Sequence, residues 1–480
     1  MEAVKLAGLS PASVFAYFEK ICSIPHGSGN TKAISDYLVS FAKEQGLAYV
    51  QDENNNVIIF QDGTPGYEDH PPVILQGHMD MVCEKETDCP IDMQTQGVDV
   101  THNGEIVYAN GTTLGGDNGI AVAYALALLA DKSIPHPPLE ILLTVDEETG
   151  MLGASSVDAA PLKGRTMINI DTATEGNFTV ACAGGTTVAI TLPVSKHAVY
   201  GPCVRLMIDD LQGGHSGSAI NKNRANANKV MGELLSRIQK VMPFCLTSLN
   251  GGAKDNAIPR SCEATLVMLG MDAEPINTII TDLQQEIREQ YDEPQATITG
   301  ENVEALGGNA LSTEDTAKVI SMLCTIPNGV HQMSQDIPGL VQTSSNFAIA
   351  KLTDALQLTV SVRSGVNKEK LAFLEKLQEW AEFNDATFKQ VEGYPAWEYK
   401  KDSRLRETMV KVYEEMFAKP PRVVAIHAGL ECGLLSGKLP GLDCVSIGPN
   451  MYDLHTPRER FEIASVQRTW KFLLETLKNL

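Results

Sequence analysis

In the first 186 residues, short strand-like runs alternate with a long apolar helix, and this alternation limits the fold more than any other feature. VILQG (73–77) is a brief apolar run ending in glycine. NGIAVAYALALLA (118–130) is alanine-rich and apolar on every side, as a buried helix is. LEILLTV (139–145) and TMINI (166–170) read as strands again. This order predicts an α/β fold, a mostly parallel sheet covered by helices. The pattern returns near the end in VVAIHAG (423–429), DCVSIGP (443–449) and a closing helix, ASVQRTWKFLLETLKNL. At the other end, Ser10 and Pro11 read as the N-cap and first position of an amphipathic helix.

The middle of the chain follows a different rule. From about Thr187 to Gly393, one order of elements occurs twice: helix, two strands, helix, strand. The first copy runs through NRANANKVMGELLSRIQ, CLTSL, EATLVML, NTIITDLQQEIREQY and ATITG. The second runs through TEDTAKVISMLCTI, VQTSSNFAIA, LQLTVSV, KEKLAFLEKLQEWAEF and TFKQVEG. We therefore expect one domain made of residues 1–186 and 394–480, interrupted by an inserted, doubled α+β domain at 187–393.

Charge and cysteine usage exclude several classes. A net charge of -22 repels phosphate backbones and anionic lipid, so nucleic acid and membrane are not expected partners. The ten cysteines are scattered, without a CxxC pair, as in a reduced compartment. The N-terminal segment has no long apolar core, and no stretch reaches the ~18–20 continuous apolar residues of a membrane span. A cytoplasmic location is the expectation.

Five segments place acidic and His residues at the ends of these elements: GHMDMV (His78, Asp80), LGGDNGIA (Asp117), TVDEETG (Asp146, Glu147, Glu148), NIDTATEG (Asp171) and SIGPNMYDLHTPRE (His455). Open α/β sheets bind ligands in the crevice at the carboxyl ends of their strands. Several carboxylates gathered there would repel one another and protonate, unless cations neutralise them. Imidazole and carboxylate together suit Zn²⁺ at ~2.0–2.2 Å, with Mn²⁺ or Co²⁺ also able to use such donors. Each segment has a plainer reading by itself. Asp117 is placed to cap the next helix, DEET resembles a solvated turn, and Asp171 suits an Asx turn. It is their coincidence after successive strands that favours two metals sharing a hydrolytic site.

These motifs together identify a resemblance. GHMDMV, LGGDNGIA, DEETG, NIDT and HTPRE resemble the aminoacylase/carboxypeptidase-like family of dinuclear zinc peptidases. GGHSG (213–217), GGAKDNAIPR (251–260), VSVRSG (360–365) and HAGLECG (427–433) resemble its aminoacyl-histidine dipeptidase branch. The resemblance spans nearly the whole chain. It implies that Asp117 bridges two metals, one also held by His78 and Asp171 and the other by Glu148 and His455. It implies that Asp80 orients His78, that Glu147 is the general base, and that a non-proline cis bond joins Asp117 to Asn118. The inserted domain would be a lid. In it, His215 would stabilise the oxyanion, and Asn256 and Arg363 would hold the substrate, with Gly429 and Glu431 of the returning catalytic part as further substrate contacts. Small peptides are the implied substrates, and a homodimer is the family habit.

Two other functions stay open. An aminoacylase or carboxypeptidase-type amidohydrolase would use the same chemistry; in the family such members carry Glu where this chain has Asp171. A catalytically silent, metal-stabilised scaffold would need the ligands but not Glu147.

Overall fold

The computed structural model describes residues 5–270, 274–291, 293–304 and 307–480. The chain divides into two compact units. One contains the chain up to Ala181 with Tyr399–Ala425 and Leu430–Leu480; the other contains Cys182–Glu398 and Ile426–Gly429.

The first unit is built on an eight-stranded sheet. At its centre Leu139–Thr144, Val73–His78, Thr166–Asn169 and Asp443–Ser446 lie side by side and parallel. The first two are buried at every position, as strands covered on both faces are. The flanks run the other way. Ala48–Gln51 and Val57–Gln61 pair antiparallel, and the second of these pairs antiparallel with Leu139–Thr144. On the other side, Asn177–Cys182 meets Asp443–Ser446 antiparallel. The expectation of a mostly parallel sheet is therefore corrected to a mixed sheet with a parallel centre. Asp52 explains one flank: its Oδ1 accepts from the N–H groups of Asn54 and Asn56, closing a tight turn that needs no crossover helix.

Helices bury the sheet. Gly116–Ala130 is enclosed along almost its whole length. Its Tyr124 stacks on Trp470 of the closing helix Ile463–Lys478, with ring centroids 5.5 Å apart, and its hydroxyl donates to Val466 O at 2.8 Å. Phe18 of Ala12–Cys22 meets Phe461 edge-on at 5.0 Å. That first helix is capped by Pro11 with no side-chain bond, one residue later than the expected Ser10 cap. Pro11 holds an extended ψ of 130°, which keeps Pro11 itself out of the helix, so the first turn starts at Ala12.

The second unit holds a nine-stranded sheet. Its helices Ala227–Val241, Glu274–Gln290, Thr313–Thr325 and Asn367–Phe383 and their partner strands follow the order read from the sequence. Leu249–Gly251 pair with Ala350–Leu352, which makes the sheet continuous across both stretches. Strand Gly184–Pro193 lies between Ala355–Ser364 and Thr387–Tyr394, far from its neighbours in sequence. No helix among the described residues is long and apolar enough to cross a membrane, and none of the ten cysteines is in a disulfide among the described residues.

Candidate active site

The first unit gathers His78, Asp117, Glu148, Asp171 and His455 at the carboxyl end of the parallel strands. His78 ends its strand, Asp171 follows Thr166–Asn169, and Glu148 follows Leu139–Thr144. Asp117 lies in the first turn of Gly116–Ala130. His455 is carried on a loop between Met451–Tyr452 and Arg460–Glu462, strands that pair antiparallel. His455 itself has a φ of 61°, a left-handed conformation uncommon for a side chain with a Cβ.

Asp117 is at the centre of the group. Its Oδ1 is 3.3 Å from His78 Nε2, and its Oδ2 is 3.5 Å from His455 Nε2. His78 Nε2 is 3.8 Å from Asp171 Oδ1, and His455 Nε2 is 2.9 Å from Glu148 Oε1. Donor atoms of His78, Asp117 and Glu148 all lie within 4.8 Å of one another. Asp117 Oδ1 and Glu148 Oε1 are buried and make no hydrogen bond to the described residues, although an imidazole lies within ion-pair distance of each. Buried oxygens left in this state are what a cation would satisfy.

Asn118 joins two of the strand ends. Its Oδ1 accepts the N–H of His78 at 3.2 Å, and its Nδ2 donates to Ile170 O at 2.6 Å. A Cβ on Gly77 would lie 2.5 Å from that Oδ1, so glycine before His78 is what lets Asn118 approach. The Asp117–Asn118 peptide bond is cis.

Asp80 supports the histidine from behind. Its Oδ1 is 3.3 Å and its backbone oxygen 3.0 Å from His78 Nδ1, leaving Nε2 to face the carboxylates. Its carboxylate also accepts from Ser28 Oγ and from the N–H groups of Glu147 and Glu148.

The electrostatics follow from crowding. Burial opposes charge on His78, but Asp117, Asp80 and Asp171 outweigh it and hold its pKa well above the usual value. The nearby Asp117 and Glu148 lift His455 to about 10. Burial would raise Asp117, yet the two imidazoles outweigh burial and hold its carboxyl low. Burial and then the charge of Asp117 push Asp171 well above the carboxylate range. Glu147 rises to about 8, chiefly through burial, with Glu431, Glu148 and Asp117 adding to it against the pull of His78. Clustered acids with divergent proton affinities are a mark of functional sites.

Beneath these side chains lies a polar layer that the sequence reading passed over. Gln76 and Asn169 stand two residues before His78 and Asp171, on the same strand faces, and are partners in register. Asn169 Nδ2 donates to Gln76 Oε1, and Gln76 Nε2 and Thr144 Oγ1 donate to Glu431 Oε2 at 2.5 and 2.7 Å. Glu431 was expected to touch substrate, but its carboxylate is fully enclosed. Burial lifts it to about 6. The available signal was a polar residue inside an otherwise apolar strand, two positions before His78 and before Asp171. Glu459, in the HTPRE segment, was also missed; it is 3% exposed.

The second unit brings His215, Asn256, Arg363 and Gly429 into one neighbourhood. His215 pairs with Ala257, directly after Asn256, and Ser216 N donates to Asn256 O at 2.8 Å. His215 and Asn256 line a cavity of about 730 Å³. His215 Nδ1 accepts from the N–H groups of Gly217 and Ser218, so its proton resides on Nε2. Partial burial and Arg363 lower its pKa. Arg363 is buried, donating to Tyr394 Oη at 2.9 Å and to Ser216 Oγ at 3.3 Å. Gly429 lies against the Tyr394 ring, where a Cβ would come within 2.7 Å. His427, also missed, contacts Ser344 Oγ through Nε2 at 2.7 Å.

A family model described as peptidase family M20/M25/M40 matches residues 74–479. The chain belongs to this family. This M20 peptidase is a hydrolase, and it is 34% identical to the cytosol non-specific dipeptidase of Escherichia coli (strain K12), over 99% of each chain. Among solved structures, it resembles aminoacylhistidine dipeptidase from Vibrio alginolyticus with a TM-score of 0.90 at 35% identity, covering 98% of this chain and 97% of that one. Aminopeptidase PepT from Bacillus cereus shares the fold, with a TM-score of 0.56 at 14% identity over 98% and 99% of the two chains.

Proposed function

We propose that this M20 peptidase is a dipeptidase with a two-metal centre that cleaves dipeptides bearing a free amino terminus, Xaa-His substrates among them. The observation that carries the reading is Asp117, whose two oxygens face two different histidines. A carboxylate shared in this way is suited to bridge two cations. His78 and Asp171 would complete one site, and Glu148 and His455 the other. Two imidazoles and three carboxylates are donors that Zn²⁺ accepts, and Mn²⁺ or Co²⁺ could use the same set. When bound, the cations supply Lewis acidity, acidifying a water and polarising the scissile carbonyl.

The residues of the chain do the rest. Asp80 fixes the His78 ring through Nδ1. Glu147 sits beside a ligand without being one, and in this reading takes the proton from the attacking water and returns it to the leaving amine. His215, with its proton on Nε2, is a donor for the developing oxyanion. Arg363 is the group for the substrate carboxylate, with Asn256 and Gly429 as further contacts.

The same proposal includes a duplicated second unit. In space its strands run 297–303, 203–209, 262–268, 244–251, then 341–352, 355–364, 184–193, 387–394. Each half thus has the strand order of a βαββαβ unit, mirrored about the pairing of Gly251 with Ala350. Two halves in one chain support His215 acting within its own chain, with any homodimer unnecessary for chemistry.

Hydrolysis of Ala-His compared with N-acetyl-His tests the specificity. The dipeptide should be cleaved and the blocked compound spared. Preference for N-acetyl-His would replace the reading with an aminoacylase, and inertness toward a broad dipeptide panel with a metal-stabilised scaffold.

A further inference from the structure

Glu459 is four residues beyond His455 on the same loop, yet its carboxylate makes its hydrogen bonds to the segment that carries Asp117. Its Oε2 accepts from the N–H groups of Leu114 at 2.9 Å and Gly115 at 3.2 Å, and its Oε1 accepts from the N–H of Asp117 at 3.2 Å. The last of these joins residues 342 positions apart in sequence. The carboxylate is 3% exposed. Gly115 has a φ of 71°, which turns successive N–H groups toward one point. Gly116 adds no Cβ, which would stand 3.3 Å from Glu459 Oε1 and 3.0 Å from the Phe461 ring. Three backbone donors converging on one buried carboxylate form a clamp, and the clamped backbone is that of the residue shared by both histidines.

We infer that Glu459 is a positioning residue for the metal centre: by gripping the backbone from Leu114 to Asp117, it fixes the Asp117 carboxylate between His78 and His455. The inference rests on the two-metal reading of the site. It also couples the two candidate metal sites, since Glu459 belongs to the loop of His455 and holds the bridging residue. A plain helix cap would make a different prediction. The N–H groups involved begin Gly116–Ala130, and capping alone would affect only the stability of that helix. Positioning affects how tightly cations are held, because groups that orient ligands typically change metal affinity by roughly 10–100-fold.

Chelator-treated full-length chain is titrated with Zn²⁺ against a chromophoric chelator, and melting is recorded without metal. Glu459→Gln keeps the shape but presents an amide where two acceptor oxygens met three N–H groups. It should weaken Zn²⁺ uptake at both sites by roughly 10–100-fold, beyond any change in metal-free melting. Glu459→Asp keeps the charge but withdraws it by one methylene, and should fold with an intermediate loss. If the Gln variant does not fold, the Asp variant decides. Wild-type Zn²⁺ affinity in either folded variant would overturn the inference while leaving the two-metal reading intact. A wild-type chain that takes up no Zn²⁺ would remove that reading and the inference with it.

Discussion

The two units treat charge in opposite ways. In the first, carboxylates are packed together under burial, so that Asp171 and Glu147 are pushed up while His78 and His455 are held as cations. In the second, Arg363 lies among histidines whose proton affinity is lowered: His215 by partial burial and Arg363, and His427 to about 4, by burial first and Arg363 second. An acid-rich centre calls for cations, whereas a buried guanidinium among neutral imidazoles suits an anion. In the proposed reading, the contrast separates a unit suited to hold metal from one suited to present donors.

The largest expected effect belongs to the first unit. Glu147→Ala should lower kcat for dipeptide hydrolysis by roughly 10²–10⁴-fold with bound metal unchanged. Loss of metal in parallel would make Glu147 a ligand and blur the division within the acid cluster. Next is His215→Ala in the second unit, with an expected loss of roughly 10²–10³-fold in kcat and full metal content, as for removal of one oxyanion donor. Mixing this variant with Glu147→Ala should restore nothing. Recovery of activity in the mixture would show that His215 serves a partner chain.

A smaller effect concerns pH and only the second unit. The folded pKa of His427 lies below its usual value, so the stability it contributes is complete above about pH 6.5 and is lost as pH falls toward 4. In chemical denaturation, the stability lost by wild type relative to His427→Gln between about pH 6.5 and 4 should be on the order of 3 kcal/mol. A difference between the two proteins that does not change with pH would place the charge contrast elsewhere. The smallest effect is Ser344→Ala. Removing the partner of His427 Nε2 should cost about 1 kcal/mol without touching metal content.

Much of this contrast was legible in the sequence, but unevenly. The candidate ligand segments showed because short apolar strands end abruptly at His78, Asp171 and the DEE run, and strand ends are where such sheets place chemistry. The polar layer of Gln76, Asn169, Thr144 and Glu431 did not show, since its partners meet only through strand register and through a helix near the end of the chain. Glu459 was hidden likewise, its partners lying at 114–117. The order of elements in the middle was readable from local periodicity. The place of Gly184–Pro193 between Ala355–Ser364 and Thr387–Tyr394 was not, because antiparallel pairing over that separation is decided by tertiary packing. For the same reason nothing local marked residues 426–429 as belonging to the second unit.

The central claim is that the Asp117 cluster works by holding two cations. The most direct measurement is the rate of Ala-His hydrolysis as chelator-treated protein is reloaded with Zn²⁺, alongside the Asp117→Asn variant. Activity should be absent without metal, rise until about two ions per chain are bound, and not appear in the variant. Undiminished hydrolysis by the metal-free chain, or normal reloading of Asp117→Asn, would contradict the account.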